Sequence, residues 1–365
     1  MSYAYSKLKD ITTIKTGKLD SNAAVANGIY PFFTCDPNTL RINAWAYDTE
    51  AVLLAGNNAS GNYTAKYYYG QFNAYQRTYI IESVDKEKLN VRYLQYAMNQ
   101  QLKLLKVMSA GSTTKFLKLG MLHNLEIPFP DIETQRRIAS ILSAYDDLIE
   151  NNQKQIKLLE EAAQRLYKEW FVDLRFPGWE NAKIVDGVPE GWELKQICSI
   201  ADIKAGGDKP EIVNKDKSEN TPIPIYANGI EKDGLYGYTT KPVIEKESVT
   251  ISARGTVGFV FLRRTPYVPI VRLLSVIPHS IPAIYMYYSL KNETFERNGT
   301  SQQQITVPMV KNKELLIADI SVVDKFTLKV TEYHDKIDIL KTQIELLTEA
   351  RDRLLPKLMS GELEV

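Results

Sequence analysis

Apolar residues recur at alternating steps of four and three residues in two segments of the chain, Tyr145 to Trp170 and Tyr333 to Leu358. This spacing places one apolar stripe along a helix, and a stripe that continues for four heptads is typical of a helix that pairs with another helix. We therefore predict two long helices that form a coiled coil within the chain. The alternative is that each helix is amphipathic and lies on its own domain. The predicted stripe residues of the coiled coil are Tyr145, Ile149, Asn152, Ile156, Leu159, Leu166, Tyr333, Ile337, Leu340, Ile344, Leu347 and Leu354.

Polar residues mark the start of the first helix and interrupt both stripes. Pro130 and Asp131 precede the first stripe, and an acidic residue at a helix start is favoured by the helix dipole. A helix over residues 132–172 would be about 60 Å long at 1.5 Å per residue. Asn152 and Arg351 occupy core-type positions. We expect them to set the register of the pair at some cost in stability.

The chain repeats itself at about half its length. Residues of the first half recur 188 or 189 positions later, and this offset holds from the globular parts into the long helices. A nearly constant offset over so many positions does not arise by chance, so the chain contains two related halves. Matching pairs include Ile11 and Ile200, Lys15 and Lys204, Gly17 and Gly206, Glu126 and Glu314, Leu159 and Leu347, and Leu166 and Leu354.

Each half begins with a globular part of mixed strand and helix. β-Branched and aromatic runs predict strands over residues 51–54, 77–81, 248–251 and 258–261, and helical patterns follow at residues 89–106 and 284–295. The predicted fold class is α+β, with two tandem globular domains and two long helices. The predicted boundaries are 1–130 for domain 1, 131–175 for helix 1, 176–188 for a linker, 189–318 for domain 2 and 319–361 for helix 2.

The charge of the chain is divided unevenly between these segments. The whole chain has 45 basic and 44 acidic residues and a net charge of +1. The globular segments 1–130 and 187–318 carry +5 and +2, whereas the helical segments 131–186 and 319–365 carry −3 each. The near-zero total argues against an evenly basic nucleic-acid binder, but the distribution fits basic domains that meet an anion.

The globular segments also carry loops rich in Asn, Gln, Arg, Lys, Ser and Thr. Asn, Gln and Arg hydrogen-bond base edges, while Lys, Ser and Thr commonly hold phosphates. The alternative is that these stretches are ordinary turns and packed strand faces. Their recurrence in both halves favours DNA binding. The candidate DNA-binding residues are Lys15, Lys18, Asn57, Asn58, Ser60, Lys66, Gln76, Arg77, Ser112, Thr113, Lys115, Lys204, Lys209, Arg254, Arg263, Thr300, Ser301, Gln302 and Gln303.

Several kinds of site are not expected. The sequence lacks a Gly-rich ATP-binding loop, and its two cysteines and three histidines lack metal-ligand spacing. The stretch 36–39 (Asp-Pro-Asn-Thr) lacks the second proline and the aromatic residue of a methyltransferase motif, and we interpret it as a turn. We predict no catalytic residues and no metal. With neither a secretory signal nor an apolar run of 18 residues, we expect a reducing cytoplasm.

The order and spacing of these features resemble the specificity (S) subunit of type I restriction–modification enzymes over almost the whole chain. The resemblance rests on the two domain starts, the Gly-Ser/Thr sequences, the first residues of helix 1 and the entry into domain 2. The segments that carry it are residues 5–18, 111–113, 128–130, 134–139, 147–152, 187–193, 192–207, 251–258 and 299–304.

The resemblance implies a non-catalytic subunit in which each domain recognises one half of a split DNA target. It implies two antiparallel helices that hold the domains apart, related by a pseudo-two-fold axis. The implied partners are double-stranded DNA, two methyltransferase subunits and, in some complexes, restriction subunits. S-adenosylmethionine and ATP would then be bound only by those partner subunits. A prokaryotic cytoplasm and a role in host defence follow from the same resemblance.

The competing hypothesis is a non-catalytic scaffold, in which the coiled coil carries domains that bind proteins or glycans. Steeply salt-dependent binding to duplex DNA would favour the first hypothesis, and salt-insensitive or absent binding would favour the second.

Overall fold

The structure is a computed structural model that describes residues 3–57, 63–108, 117–295 and 304–365. Nine of the candidate DNA-binding residues lie outside the described residues: Asn58, Ser60, Ser112, Thr113, Lys115, Thr300, Ser301, Gln302 and Gln303. Among the described helices, none is both long and apolar enough to cross a membrane.

Domain 1 combines short and long strands with helices. Its strands are β1 (Tyr5–Lys7), β2 (Thr12–Thr16), β3 (Tyr30–Phe33), β4 (Leu40–Ile42), β5 (Tyr47–Ala55), β6 (Ala65–Ala74), β7 (Thr78–Ser83) and β8 (Glu126–Pro128). Its helices are α1 (Leu8–Ile11), α2 (Val91–Met108) and α3 (Leu119–His123). The sequence predicts strands at residues 51–54 and 77–81 and a helix at residues 89–106. These places are occupied by β5, β7 and α2.

A six-stranded sheet in the order β2-β7-β5-β6-β3-β4 forms the centre of domain 1. Its central strand β5 is apolar at consecutive positions because both of its faces are covered. Val52 and Leu54 belong to the hydrophobic cluster that includes α2, whereas Ala51 and Leu53 point to a second cluster on the opposite face. Alternate residues of a strand point to opposite faces, so this continuous apolar run places the sheet between two cores.

The first long helix follows domain 1 and leads into domain 2. It is α4 (Ile132–Tyr167), continued by a π-helical turn, Lys168–Val172. The strands beyond it are β9 (Ile184–Val185), β10 (Val188–Pro189), β11 (Glu193–Gln196), β12 (Ala201–Ala205), β13 (Ile223–Tyr226), β14 (Leu235–Thr239), β15 (Ser248–Ile251), β16 (Val260–Arg263), β17 (Val268–Pro269), β18 (Leu274–Pro278) and β19 (Glu314–Ile317). The helices beyond it are α5 (Ile197–Ile200), α6 (Ala283–Asn292), α7 (Val307–Lys311) and the second long helix α8 (Ile320–Ser360).

Domain 2 repeats the strand order of domain 1. Its sheet β12-β18-β15-β16 corresponds to β2-β7-β5-β6. The parallel pairing of Phe32 with Asn73 between β3 and β6 recurs as the pairing of Ile225 with Val268 between β13 and β17. The ten-residue strand β6 therefore corresponds to two strands, β16 and β17. This shared topology explains the repeat in the sequence.

The chain divides into two compact units, and each contains part of both long helices. Unit 1 comprises Met1–Gln153 and Lys341–Val365, and unit 2 comprises Lys154–Leu340. The domain boundaries predicted from the sequence divide the chain into consecutive segments. Each compact unit instead combines segments from both halves of the chain.

In unit 1 the two long helices lie side by side with opposite chain directions. Asp146 of α4 accepts a hydrogen bond from Arg351 of α8, and Asn152 donates one to Gln343 at 3.3 Å. The partner numbers fall along α8 as they rise along α4, so the helices are antiparallel there. Asn152 is buried, while Leu148, which lies off the stripe, is half exposed. The stripe thus lies on the less exposed face of the helices, as its spacing predicts.

In unit 2 an aromatic cluster joins the long helices to domain 2. Phe171, which follows α4, contacts Phe326 of α8 and Tyr285 of α6, with ring centres 5.1 and 4.9 Å apart. Arg264, which directly follows β16, forms ion pairs with Asp335 and Asp338 of α8 at 2.5 and 2.6 Å. Packing and charge pairing therefore fix this domain on the helices of its own unit.

Candidate nucleic-acid interface

Three connections meet at one end of the domain 1 sheet, where β2 and β5 end and β7 begins. Gly17 donates its backbone N–H to Thr78 O at 3.1 Å, and Gly56 donates to Arg77 O at 2.8 Å. These bonds hold the side chains that flank them in one place. We call this group loop edge 1, and its residues are Lys18, Asn57, Gln76 and Arg77.

The segment before α3 is attached to the same edge. Leu117 donates its backbone N–H to Gly56 O at 3.0 Å, and its own carbonyl accepts a 2.8 Å hydrogen bond from the hydroxyl of Tyr79. Leu117 directly follows residues 109–116, which contain the candidates Ser112, Thr113 and Lys115. The backbone at Leu117, where the described chain resumes, is therefore bound to loop edge 1.

Glycine is required where β2 reaches this edge. A Cβ atom on Gly17 would lie 2.1 Å from Ala74 O, far closer than any side chain tolerates. Gly206 is in the same position in domain 2, where a Cβ would lie 2.7 Å from the carbonyl carbon of Pro269. The recurrence of glycine at these two positions reflects this close backbone approach.

Domain 2 presents the same arrangement at the matching end of its sheet. Gly206 donates to Leu273 O at 2.8 Å, and Ile305 donates to Ala253 O at 3.0 Å, as Leu117 does to Gly56. Val271 donates to Gly207 O at 2.9 Å. We call this group loop edge 2, and its residues are Gly207, Arg254, Val271 and Arg272.

The sheet register matches residues between the two edges. Thr16 pairs with Tyr79, and Ala205 pairs with Leu274 in the same way. Arg77 lies two residues before Tyr79, and Arg272 lies two residues before Leu274, so the two arginines occupy equivalent positions. Both side chains are exposed. The sequence pattern indicates Arg77 but not Arg272, because the connection between the strands differs in length and the 188-residue offset does not hold there. Only the strand register reveals the match.

The lysine candidates of the outer strands are exposed. Lys15 and Lys204 occupy the same position of β2 and β12, three residues before Lys18 and Gly207 respectively. Lys15 forms an ion pair with Glu82 at 2.7 Å, so part of its charge is compensated. Lys209 is exposed just beyond loop edge 2. None of these positions conflicts with a DNA contact, and their role stays a prediction.

Arg263 does not fit its predicted role. Its side chain is 5 % exposed, and its guanidinium carbon lies 3.5 Å from the ring centre of Tyr226. Its Nε donates to Thr250 Oγ1 at 2.9 Å and its Nη2 to Asp233 O at 2.6 Å. Burial lowers the pKa of this guanidinium from its ordinary value. The burial and these internal partners contradict the predicted DNA contact at Arg263.

Lys66 is likewise directed into its own domain. Its Nζ donates to Pro37 O at 2.6 Å and lies 3.4 Å from Thr39 Oγ1. Burial lowers the pKa of the ammonium group, although nearby Asp36 acts in the opposite direction. Lys66 lines a cavity of about 320 Å³ together with Thr34, Cys35 and neighbouring residues. Its amine donates to the loop, and its predicted contact with DNA stays a prediction.

The two edges combine exposed guanidinium and amide groups on rigid sheets. Such groups bind base edges and phosphates. Within the described ranges, no cluster of three or more His, Cys, Asp or Glu residues suits a metal ion.

Comparison with known proteins identifies the same two-domain organisation. The family model described as "Type I restriction modification DNA specificity domain" matches residues 2–161 and again residues 189–349. The MjaIX specificity subunit of Methanocaldococcus jannaschii is 30 % identical over 311 residues, which cover 77 % of this chain and 71 % of the relative. A putative type I specificity subunit of Mycoplasma pneumoniae is 28 % identical over 322 residues, covering 86 % and 84 %.

A solved structure shares the fold. The crystal structure of a type I restriction–modification S subunit from M. genitalium superposes with a TM-score of 0.68 at 18 % identity, covering 98 % of this chain and 96 % of that chain. At this identity the likeness concerns the fold alone. The family model nevertheless matches two separate segments that together cover most of the chain. The chain therefore belongs to the type I restriction modification DNA specificity domain family.

Proposed function

We propose that this chain is the DNA-recognition subunit of a type I restriction–modification system. Each domain would recognise one half of a split double-stranded target. The observation that carries the proposal is that both domains present an exposed arginine, Arg77 and Arg272, at the same position of the same sheet end. Two equivalent binding edges in one chain suit a target of two parts.

The chemistry of the edges supports recognition of bases as well as phosphates. An arginine binds the two acceptors of guanine in the major groove through paired hydrogen bonds, and an asparagine binds adenine in a similar way. Arg77, Arg254, Arg272 and Asn57 are suited to these contacts. Lys18 and Lys209 are suited to phosphates, which position the protein without specifying sequence.

The long helices would set the gap between the half-sites and bind the partner subunits. Leu158 of α4 and Leu346 of α8 lie outside the buried stripe and are 64 % and 61 % exposed. Exposed leucines on otherwise acidic helices support a protein-binding role. We propose two methyltransferase subunits as the partners, joined in some complexes by restriction subunits. S-adenosylmethionine and ATP would be bound by those subunits, while this chain provides recognition.

The distribution of charge supports a division of labour. Domains that carry a small positive excess, +5 and +2, attract DNA only weakly at physiological salt. The methyltransferase subunits would supply much of the phosphate binding. We accordingly place the complex in a prokaryotic cytoplasm, where it meets DNA.

The decisive experiment is to co-express the chain with its cognate methyltransferase and to map modified adenines in the host DNA. We expect a motif of two defined half-sites separated by a fixed, unspecified gap. Modification without a two-part motif would contradict the proposal. Salt-insensitive or absent duplex binding by the assembled complex would favour a protein- or glycan-binding scaffold instead.

A further inference from the structure

One cation in each domain performs the same task. Lys66 of β6 donates to Pro37 O in the loop after β3, and Arg263 of β16 donates to Asp233 O in the loop after β13; both bonds measure 2.6 Å. By sheet register, β16 corresponds to the first half of β6, and β13 corresponds to β3. Each domain therefore uses a cation on the same strand to hold the same hairpin loop.

Both hairpin loops are joined to the loop edges. In domain 1, Phe33, the last residue before loop 34–39, accepts at its carbonyl a 3.1 Å hydrogen bond from the hydroxyl of Thr78, which directly follows Arg77. In domain 2 the side chain of Asn228 donates to Val271 O at 2.6 Å and accepts from Ala253 N at 2.7 Å. Asn228 thus connects loop 228–234 to the residues beside Arg254 and Arg272.

The loops are held in defined conformations with exposed tips. In domain 1 the carboxylate of Asp36 accepts a 2.7 Å hydrogen bond from the backbone N–H of Asn38, whose side chain is exposed. In domain 2, Lys232 and Asp233 adopt positive φ angles of 50° and 57°, which non-glycine residues rarely adopt. The bond from Arg263 to Asp233 O helps to hold this unfavourable conformation.

The fold itself does not require a cation in this place. Register matches Arg263 with Tyr68 of domain 1, and Tyr226 with Phe33. Tyr68 packs on Phe33 with ring centres 5.3 Å apart, so an uncharged side chain fills the same position. Burying a cation is costly unless its hydrogen bonds are satisfied. Arg263 differs from Tyr68 in that it donates a hydrogen bond to the hairpin loop, at Asp233 O.

We infer that loops 34–39 and 228–234 are further DNA-contacting parts of the two edges, and that Lys66 and Arg263 are the residues that position them. Asn38 contacts a base of the half-site recognised by domain 1, because an exposed amide on a rigid loop suits paired hydrogen bonds to adenine. Lys232 contacts a phosphate of the other half-site. This inference rests on the proposed function.

The first test is Asn38→Ala in the full chain, co-expressed with the cognate methyltransferase, with modified adenines mapped. One base position in one half-site should lose its preference by about 5- to 150-fold, while the other half-site stays unchanged. The unchanged half-site is an internal control. A wild-type map without two half-sites would refute the proposed function. A two-part map that Asn38→Ala leaves intact would overturn the inference alone.

The second test separates positioning from overall stability. Lys66→Met should weaken recognition of the same half-site as Asn38→Ala, and Lys66→Arg should restore most of it because a donor is retained. Lys9→Met is the matched control, since Lys9 is exposed on α1 at the opposite end of the sheet. Equal losses at both half-sites, or an arginine variant as defective as the methionine variant, would overturn the positioning role.

The third test addresses domain 2 through salt dependence. Removing one phosphate contact lowers the slope of log affinity against log salt concentration by about 1. Lys232→Ala in the assembled complex should show this decrease and leave the base motif unchanged. An unaltered slope would overturn the assignment of Lys232 to a phosphate.

Discussion

Arg351 of α8 donates its Nη1–H to Oδ1 of Asp146 in α4 at 2.7 Å, although 205 residues separate them in sequence. The other oxygen of the same carboxylate accepts a 2.5 Å hydrogen bond from the hydroxyl of Tyr96 in α2. Asp146 therefore connects domain 1 to both long helices within unit 1. At the matching place in unit 2, Tyr288 forms a 2.9 Å hydrogen bond with His334, which occupies the position of Asp146 in the repeat.

We expect Arg351→Ala to destabilise unit 1 by about 1.5–3 kcal/mol, because it removes a hydrogen bond to a partly buried carboxylate. A double-mutant cycle with Asp146→Ala, followed by chemical unfolding, measures the coupling. Arg353→Ala is the control, since Arg353 is 78 % exposed and its ion pair with Glu349 lies within its own helix. Strictly additive effects of the Asp146 and Arg351 substitutions would show that the pair is not coupled.

The matching arginines of the two edges should act on different half-sites. Arg77→Ala should relax one base position of one half-site, and Arg254→Ala or Arg272→Ala a position of the other, each by about 1–3 kcal/mol. Competition binding of the assembled complex with singly substituted duplexes measures the discrimination. If affinity fell equally for specific and scrambled duplexes, these side chains would contact phosphates instead.

The gap between half-sites should follow the length of the paired helices. We propose to insert one heptad in α4 after Gln153 and one in α8 after Leu340, where the boundary of the two units crosses both helices. Seven residues add about 10 Å, or about three base pairs of B-DNA. Mapping of modified adenines should show a gap longer by about that amount. An unchanged gap would contradict the role of the helices as spacers.

A heptad inserted in α4 alone provides the control for this experiment. It leaves the stripe of α8 without a matching partner, so we expect lower stability and altered spacing. A single insertion that behaved like the paired one would mean that the helices do not determine the gap together.

The starts of both long helices should weaken in acid. Asp131 accepts hydrogen bonds from the backbone and side chain of Thr134, and Asp319 from those of Ser321; these bonds lower the pKa of each carboxyl below its usual 3.8. A lowered folded-state pKa stabilises the protein above the unfolded pKa, and this stabilisation is lost as pH falls below about 3.8 through the folded value.

Thermal unfolding at about pH 5 and about pH 3 tests this expectation. The melting temperature of the wild type should fall more between the two values than that of a double variant, Asp131→Asn with Asp319→Asn, which cannot change charge there. Equal decreases would show that other carboxyl groups control acid unfolding.

Local patterns were sufficient for the long helices and for the strands of the sheet centre. The stripe from Tyr145 onwards lies on the less exposed face of its helix, and the apolar run at residues 51–54 is buried on both faces of its sheet. The candidate DNA contacts were harder to predict, because Lys66 and Arg263 belong to residue types that commonly bind DNA. The Arg263 side chain is buried and the Lys66 amine is bound to Pro37, because carbonyl groups of loops far along the chain accept their hydrogen bonds.

The sequence by itself determined the two-part organisation, because a repeat, a heptad stripe and the distribution of charge are properties of residue order. Only the tertiary structure decided which polar residues face outward. It placed Arg272 beside Arg254, matched it with Arg77 and turned Arg263 into a loop anchor. The physical reason is that strand register and long-range hydrogen bonds determine side-chain direction, and both join residues that lie far apart in the chain.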